Sequence, residues 1–133
     1  MEEPKKEKSC GGVIVEGGKV LMVSQENGVF AFPKGHVEND ETEIETATRE
    51  IIEETAVETE LDEKKRVEIN YYIADKNIDK TVVLFVGKPV GSLDVRAQEG
   101  EISAAMWVEI PEVESKLQFA EWKDAWKKIK KMI

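Results

Sequence analysis

Residues 32–57 read FPKGHVENDETEIETATREIIEETAV, and the rest of the sequence is best understood outward from this stretch. Asn39 and Asp40 are favourable N-cap residues, and the acidic residues after them suit the positive end of a helix dipole. Apolar or small side chains then recur at steps of three and four residues, at Ile44, Ala47, Ile51 and Thr55. This spacing predicts a helix over residues 40–55 with one face turned toward a core.

The other side of the predicted helix is strongly acidic. Arg49 is the only basic residue between positions 38 and 60. Like charges one turn apart destabilise a helix by roughly a few tenths of a kcal/mol per pair. The crowding fits a solvated acidic surface, which is common, or a site where Mg²⁺ neutralises several carboxylates, and the helix alone leaves both open. The acidic side chains lie within an arc of about 100° and are Glu43, Glu50, Glu53 and Glu54.

The loop before the helix brings different chemistry. Lys34 and His36, the single histidine of the chain, are side chains that can contact phosphate oxygens. Gly35 between them permits a close approach of the backbone to a ligand. Each feature alone is ordinary, since Pro-Lys-Gly is a common turn and a lone histidine is often structural. Their fixed spacing from the acidic helix favours a combined phosphate and metal site.

Together these residues resemble the signature of the Nudix family, G-x5-E-x7-R-E-U-x-E-E-x-G-U, where U is a bulky aliphatic residue. Ala56 stands where the signature has glycine. That glycine is expected to end the helix in a left-handed conformation, so Ala56 is expected to cost about 1 kcal/mol or to shift the helix end. The positions that match in register are Gly35, Glu41, Arg49, Glu50, Ile51, Glu53, Glu54 and Val57.

The resemblance implies a metal-dependent hydrolase. Nudix enzymes hydrolyse a nucleoside diphosphate linked to another group, using Mg²⁺ or Mn²⁺ that makes water nucleophilic and offsets phosphate charge. By position, Arg49 would orient one of the signature glutamates, and Glu41 would brace the loop through a salt bridge or cap. The implied metal ligands are Glu50, Glu53 and Glu54, with the Gly35 carbonyl as a further candidate.

The composition limits the other classes of function. The formal net charge is −9, which argues against a nucleic-acid coat or an anionic membrane surface as partner. A bound metal would reverse the sign of the charge locally and so allow an anionic substrate. Cys10 is the only cysteine, so no internal disulfide forms and a reducing compartment is expected. No apolar run has membrane-spanning length and no signal-peptide core is present, so we expect a cytoplasmic protein.

The organisation of the chain follows from its length of 133 residues. We expect residues 1–8 to be a disordered or frayed tail and residues 9–133 to form a single domain. Residues 58–66 and 75–80 are expected to be polar connections, and residues 81–87 a central strand buried on both faces. Further strands are expected near residues 9–15, 19–24, 67–74 and 104–109, with a short helix from Pro111 and an amphipathic terminal helix containing Trp122 and Trp126. This order suggests a mixed sheet between helices, the α/β/α sandwich that the resemblance also implies.

Segments outside the signature resemble the asymmetric diadenosine tetraphosphate hydrolases within this family. The resemblance implies that Lys34, His36 and Lys80 contact a polyphosphate. Glu101 corresponds to a loop glutamate that faces the metals, where it is implied to bind metal or to help activate water, with Glu99 as its nearby competitor. The segments that carry this resemblance are Ser9-Cys10-Gly11, residues 32–38, Asn70-Tyr71, Lys80-Thr81-Val82 and Leu117-Gln118-Phe119.

The nucleobase site is less well defined by the sequence. An adenine usually needs an aromatic side chain for stacking, and Tyr71, Tyr72 and Phe85 are the candidates. The stacking tyrosine of the resembled group falls at Leu84 in this chain. The preferred nucleotide therefore stays open at this point.

Three functions are compatible with these patterns. The first is hydrolysis of diadenosine tetraphosphate to ATP and AMP by a monomer or homodimer with no stable nucleic-acid or membrane partner. The second is a Nudix reaction on another substrate: an oxidised nucleoside triphosphate, a triphosphate RNA end, ADP-ribose or a diphosphoinositol phosphate. The third is a catalytically silent nucleotide-binding module or regulatory subunit, which the presence of every signature glutamate disfavours.

Overall fold

A computed structural model describes residues 2–100 and 102–133. The strands are β1 (Lys5–Glu16), β2 (Lys19–Gln25), β3 (Phe30–Ala31), β4 (Lys34–His36), β5 (Thr59–Ile73), β6 (Ile78–Pro89) and β7 (Ile102–Glu109). The helices are α1 (Glu43–Thr55), α2 (Ile110–Lys116) and α3 (Ala120–Lys130), and a 3₁₀ turn spans Ala74–Lys76. The predicted central and terminal helices and the predicted strands are all present within these bounds.

The strands form a seven-stranded sheet in the order β3-β2-β1-β6-β5, with β4 paired to β1 and β7 paired to β2. Strands β1 and β6 are parallel, whereas the other pairs are antiparallel. The sheet is therefore mixed, as the sequence predicts. The pairing of β1 with both β4 and β6 places the loop of residues 32–36 beside the middle of the sheet.

Helices cover both faces of the sheet, which confirms the α/β/α sandwich. On one face, Val82 and Leu84 of β6 pack with Trp126 of α3 in the main apolar core. On the other face, Val83 and Phe85 pack with Ala47 of α1 and with Cys10. Because successive side chains of a strand point to opposite faces, this alternation explains why β6 is apolar almost throughout. No helix in the described parts of the chain has the length and apolar character needed to cross a membrane.

Helix α1 begins later than the sequence predicts. Its N-cap is Thr42, whose hydroxyl accepts a hydrogen bond from the Glu45 amide while the Glu45 carboxylate accepts one from the Thr42 amide. This reciprocal pair satisfies two backbone donors at the helix end, which Asn39 cannot do because its φ of 52° turns the chain away from the helix. The helix ends at Ala56 with φ 66° and ψ 12°, the left-handed conformation expected of the signature glycine.

The prediction of a frayed tail over residues 1–8 is wrong for its second half. Strand β1 begins at Lys5 and pairs in parallel with β6 from Lys5 opposite Ile78 to Lys8 opposite Thr81. The charged side chains of this segment do not prevent a strand because they are largely exposed, and Lys8 forms an ion pair with Glu43 of α1. The first strand therefore extends along the edge of the predicted phosphate site.

Two predicted polar connections are also strands. Residues 59–66 belong to β5, where a bulge between Asp62 and Arg66 absorbs the irregular pairing with β6. Residues 78–80 belong to β6, so the turn between the two strands is short and Lys80 lies in a strand opposite Tyr71. Lys80 is consequently held by sheet hydrogen bonds rather than carried on a loop.

Candidate active site

The loop before α1 is fixed by backbone pairing to β1. Strand β4 pairs with β1 so that Lys34 lies opposite Gly11 and His36 lies opposite Ser9. A β-carbon at Gly11 would lie only 2.0 Å from the Pro33 carbonyl oxygen. Any side chain at position 11 would therefore push the loop away, and glycine there allows Lys34 and His36 to stand at their observed positions.

Gly35 has the same relationship to helix α1. A β-carbon at Gly35 would lie 2.0 Å from Oε2 of Glu50, so the glycine backbone rests directly against that carboxylate. The Glu50 side chain is 13% exposed. Burial raises the pKa of Glu50, and the neighbouring Arg49 guanidinium opposes this rise.

Arg49 connects the acidic residues of this region to one another. Its Nη1 donates hydrogen bonds to Glu50 Oε1 at 2.8 Å and to the Glu53 carboxylate at 3.2 Å. Its Nε donates to Glu41 Oε2 at 2.7 Å, and its Nη2 donates to the His36 carbonyl oxygen at 3.0 Å. The hydrogen bonds that Arg49 donates to Glu41 are the largest cause that raises the pKa of Arg49 above its ordinary value. Arg49 thus offsets part of the repulsion among these carboxylates even without a metal ion.

Glu41 braces the loop with both of its carboxylate oxygens. Oε2 accepts the hydrogen bond from Arg49 Nε described above. Its Oε1 accepts hydrogen bonds from Arg49 Nη2 at 2.9 Å, from the Glu38 amide at 3.0 Å and from the Thr46 hydroxyl at 3.0 Å. The hydrogen bonds with Arg49 are the main reason that the pKa of Glu41 falls from 4.5 to about 2. These contacts are those of a structural residue, in line with the role that the resemblance implies.

Glu54 lies deeper than the other glutamates of α1. It is 8% exposed, and its Oε1 accepts a hydrogen bond from the Lys34 amide at 3.1 Å. Its backbone carbonyl accepts a hydrogen bond from the Gln98 amide at 3.3 Å. Glu54 therefore joins helix α1 to the loop of β4 and to the connection between β6 and β7.

The cationic side of the site is built on β4 and β6. Lys80 is 6% exposed, and its Nζ donates to the Ser9 hydroxyl at 2.7 Å and lies 3.4 Å from His36 Nε2. Desolvation, followed by the charge of Lys34, lowers the pKa of Lys80. Lys34 Nζ lies 5.9 Å from the ring centroid of Trp122, within the range of a cation–π contact.

These acidic and basic groups line one open cavity of about 700 Å³. The structure brings together seven residues predicted from the sequence: Lys34, Gly35, His36, Glu50, Glu53, Glu54 and Lys80. The cavity is also lined by residues that the site prediction did not include: Ser9, Gln25, Glu26, Asn27, Gln98, Gly100 and Ile102. Ser9, Gln25 and Ile102 reach the cavity on the paired strands β1, β2 and β7, and Gln98 through the hydrogen bond of its amide to the Glu54 carbonyl. The local sequence carries no signal for these long-range contacts.

The aromatic residues predicted to stack on a nucleobase lie outside the cavity that contains the glutamates. Phe85 is 3% exposed and packs against α1 on the face opposite Lys80, so the prediction that it stacks on a base is wrong. Tyr71 and Phe119 line a small groove that also contains Lys34 and Trp122. Phe119 is 51% exposed and was not predicted as a site residue, although it lies in one of the segments that carried the resemblance.

Tyr72 lies farther out on the same edge of the sheet. It is 55% exposed, and its hydroxyl donates a hydrogen bond to Asn77 Oδ1 at 2.7 Å. Tyr72 lines a second groove together with Tyr71 and Phe119. It is therefore accessible, but it does not line the cavity that contains the glutamates.

The donor set suits a hard divalent cation. Carboxylate and carbonyl oxygens are the ligands that Mg²⁺ takes, and the missing side chain of Gly35 leaves its backbone directly against Glu50. Glu50 and Glu53 both point toward Arg49, and among the described residues no three acidic, histidine or cysteine side chains converge as a preformed metal centre. The hydrogen bond from Arg49 engages Oε1 of Glu50, so Oε2 of that carboxylate, beside Gly35, can bind an ion while Arg49 holds the side chain in place. The predicted ligand Glu101 lies outside the described residues.

Known proteins resemble this chain in sequence and in fold. The chain is 32% identical over 105 residues to Nudix hydrolase 2 of Arabidopsis thaliana, covering 74% of this chain but only 37% of that protein. It is 32% identical over 109 residues to the asymmetrical bis(5'-nucleosyl)-tetraphosphatase of Mus musculus, covering 77% and 72% of the two chains. The crystal structure of a C. elegans Ap4A hydrolase binary complex has the same fold, with a TM-score of 0.83, 24% identity and coverage of 95% and 96%.

The family comparison covers nearly the whole chain. The model of the NUDIX domain matches residues 6–130, a range that includes all of β1 except Lys5, the acidic helix and the whole of α3. This range agrees with the sandwich fold, with the register of the signature and with the cavity on which its residues converge. The chain belongs to the NUDIX domain family.

Proposed function

We propose that the chain is a divalent-metal-dependent pyrophosphohydrolase that acts on nucleoside diphosphate-linked compounds, with diadenosine tetraphosphate as its substrate. One observation carries the proposal: a single open cavity has carboxylates of α1 on one side and the basic side chains of Lys34, His36 and Lys80 on another. Such a cavity can hold a metal and a phosphate chain next to each other. The identity with the mouse tetraphosphatase supports the choice of substrate.

The ligands of Mg²⁺ or Mn²⁺ in this proposal are Glu50, Glu53 and Glu54, with the Gly35 carbonyl and Glu101 as further candidates. When bound, the ion would make water a stronger nucleophile and offset the negative charge of the phosphates. Arg49, which contacts Glu50 and Glu53, positions these carboxylates at the cavity wall. Arg49 is therefore proposed as a positioning residue and not as a substrate ligand.

The polyphosphate chain would be bound by Lys34, His36 and Lys80. Lys80 is largely desolvated and is anchored to the Ser9 hydroxyl, so its ammonium group is fixed before substrate arrives. A fixed donor loses less conformational entropy on binding than a flexible surface lysine does. The positive charges of Lys34 and Lys80 also make the potential at this wall of the cavity less negative than the net charge of −9 would suggest.

The chemical step is attack of water on phosphorus. A carboxylate oxygen of Glu54 or Glu53 would accept the proton of the attacking water, as a general base does. A phosphorus–oxygen bond to the water oxygen forms while the phosphoanhydride bond breaks, and ATP and AMP leave. The Lys34 amide donates a hydrogen bond to the Glu54 carboxylate and holds it in place. The residue proposed as the base and the residue proposed to bind phosphate are therefore in direct contact.

The nucleobase site that we propose is the groove beside Lys34. Tyr71, Phe119 and Trp122 line this groove, and Phe119 presents an exposed aromatic face. A base that stacks on an aromatic ring gains about 0.5–1.5 kcal/mol beyond the burial of its surface. Tyr72 remains an outer candidate because it shares the neighbouring groove. Because the single cysteine Cys10 is buried and cannot form an internal disulfide, we further propose a cytoplasmic location.

A panel of substrates tests the proposal. The full chain is assayed with Mg²⁺, with Mn²⁺ and with EDTA on diadenosine tetraphosphate, 8-oxo-dGTP, ADP-ribose, triphosphate-ended RNA and a diphosphoinositol phosphate. We expect metal-dependent release of ATP and AMP with the highest kcat/KM for diadenosine tetraphosphate, and loss of most turnover in Glu54→Gln with the fold retained. A different best substrate would correct the substrate, whereas wild-type turnover by Glu54→Gln would overturn the site.

A further inference from the structure

The N-terminal half of β1 adds a carboxylate to the cationic side of the cavity. Glu7 lies opposite Lys80 in the parallel pairing of β1 with β6, and Ser9 lies opposite His36 in the antiparallel pairing of β1 with β4. Paired residues on neighbouring strands, and residues two apart on one strand, point to the same face of a sheet. Glu7, Ser9, Lys80 and His36 therefore form one cluster on the face that lines the cavity.

Two distances describe how close Glu7 lies to the basic side chains of this cluster. Glu7 Oε1 lies 3.8 Å from Lys80 Nζ and 3.9 Å from His36 Nε2. The side chain of Glu7 is 23% exposed and that of Lys80 is 7% exposed, so water screens their interaction only partly. Glu7 does not line the cavity itself but stands behind the two groups that do. Its negative charge consequently acts on whatever anion these groups bind.

The effect of this charge depends on the kind of phosphate that arrives. A phosphate inside a polyphosphate chain carries one negative charge, because two of its oxygens bridge to the groups on either side and only one ionisable oxygen remains. A terminal phosphate has a second pKa near 6 and carries about 1.5 to 2 negative charges at pH 7. A fixed carboxylate nearby repels the terminal group more strongly, since Coulomb repulsion scales with the product of the charges.

We propose that Glu7 is a specificity-determining residue that disfavours a terminal phosphate beside Lys80 and His36 and thereby favours a polyphosphate capped by a nucleoside at both ends. The inference rests on the proposed function and adds a reason for preferring a dinucleoside polyphosphate to a mononucleoside one. Ser9 accepts a hydrogen bond from the Lys80 ammonium group and so keeps that group close to the Glu7 carboxylate. The segment that carries Glu7 is the one that the sequence alone assigned to a tail.

Two substrates that differ at one end test this inference. Diadenosine tetraphosphate has internal phosphates only, whereas adenosine 5'-tetraphosphate ends in a terminal phosphate. We compare kcat/KM for both, in the full chain with Mg²⁺ at pH 7.5, between the wild type and Glu7→Gln. The control is Glu16→Gln, which removes the same charge from an exposed position at the other end of β1.

The expected result is a loss of discrimination. In Glu7→Gln, the preference for diadenosine tetraphosphate over adenosine tetraphosphate should fall by about three- to tenfold, chiefly through a higher kcat/KM for adenosine tetraphosphate. Glu16→Gln should keep the wild-type preference. If Glu7→Gln does not fold, Glu7→Thr removes the charge with a residue suited to a strand and should show the same fall.

Two outcomes would overturn the inference, and they are distinguishable. Equal preferences in the wild type, in the Glu7 variant and in Glu16→Gln would show that the carboxylate does not discriminate, while the proposed function stands. Absence of metal-dependent hydrolysis of both substrates by the wild type would overturn the proposed function and the inference together.

Discussion

The backbone of Gly35 rests against the carboxylate of Glu50, so closely that a β-carbon at position 35 would lie 2.0 Å from Glu50 Oε2. The two residues belong to different elements, β4 and α1, which the chain brings together through the pairing of β4 with β1. The contact fixes how near the loop of residues 32–36 lies to the acidic helix. It also makes the side-chain size at position 35 a direct determinant of where Glu50 stands.

Adding one methyl group at this contact should disable the enzyme. In Gly35→Ala, the Glu50 carboxylate must move by more than an ångström, and displacement of that size can cost about a hundredfold in rate. We expect kcat/KM to fall by about that factor while the circular dichroism spectrum is retained. Gly17→Ala is the control for activity: its β-carbon meets nothing within 4 Å in a distant turn, and its φ of 56° should cost stability without lowering kcat/KM. Full activity of Gly35→Ala would show that Glu50 is not constrained by the contact.

The guanidinium of Arg49 should matter for its shape as well as its charge. Lysine cannot reproduce the fork that reaches Glu41, Glu50 and Glu53 together. We expect Arg49→Lys to lower kcat/KM by about ten- to a hundredfold and to raise the Mg²⁺ concentration needed for half-maximal activity. The measurement is a Mg²⁺ titration of initial rates.

Arg66→Lys is the matched control for that experiment. Arg66 also donates two hydrogen bonds to one carboxylate, that of Glu43, and a third to Glu68, but it does not line the cavity. We expect its Mg²⁺ dependence to match that of the wild type. Equal losses in the two variants would indicate that Arg49 acts only through general stability.

Ala56 should be a site where glycine stabilises the fold. Its φ of 66° places a β-carbon in the left-handed region, which costs about 1 kcal/mol more for alanine than for glycine. Ala56→Gly should therefore raise the free energy of unfolding in urea by about that amount. The reverse change at Gly18, whose φ is 77° in an open turn, should lower it similarly. A loss of stability in Ala56→Gly would mean that the greater freedom of glycine in the unfolded chain dominates.

Acid should destabilise the protein through two ion-paired glutamates. Hydrogen bonds from Arg49 and Arg66 lower the pKa values of Glu41 and Glu43, respectively, from 4.5 to about 2. A group whose pKa is lower in the folded state contributes stability that is complete above the unfolded pKa and is lost as the pH falls to the folded one. We expect the urea concentration at the midpoint of unfolding, measured in EDTA, to decrease as the pH is lowered from 4.5 to 2.

The variant Glu43→Gln checks the cause of this acid sensitivity. It removes one of the two linked carboxylates, so the slope of stability against pH in that window should become smaller than in the wild type. Glu16→Gln removes an exposed charge instead and should leave the slope unchanged. An unaltered slope in Glu43→Gln would assign the acid sensitivity to other groups.

The sequence predicts the site better where its residues are close together in the chain. The register of the signature places Gly35, Glu50, Glu53 and Glu54 correctly at one cavity because a loop and one helix carry them all. The N-cap was misplaced because Asn39 and Thr42 are both good caps, and only the backbone conformation decides between them.

Errors increase where strand pairing decides the outcome. Phe85 and Lys80 lie on one strand, but they are an odd number of residues apart, so their side chains point to opposite faces. Choosing stacking candidates by residue type alone does not take this alternation into account. The segment of Glu7 resembles a tail in composition, and its strand exists because β6 offers an unpaired edge beside it. Ser9 reaches the cavity through such pairing, and Gln98 reaches it through the hydrogen bond of its amide to the Glu54 carbonyl.

The most direct test of the central claim is a diffraction experiment with manganese, whose anomalous signal locates the ion. Crystals of the full chain are soaked with Mn²⁺ and a nonhydrolysable analogue of diadenosine tetraphosphate. The account predicts an anomalous peak bounded by the carboxylates of Glu50, Glu53 and Glu54, with a phosphate of the analogue between it and Lys34. Carboxylates that remain on Arg49 or in solvent, with no peak among them and no phosphate at Lys34, would contradict it.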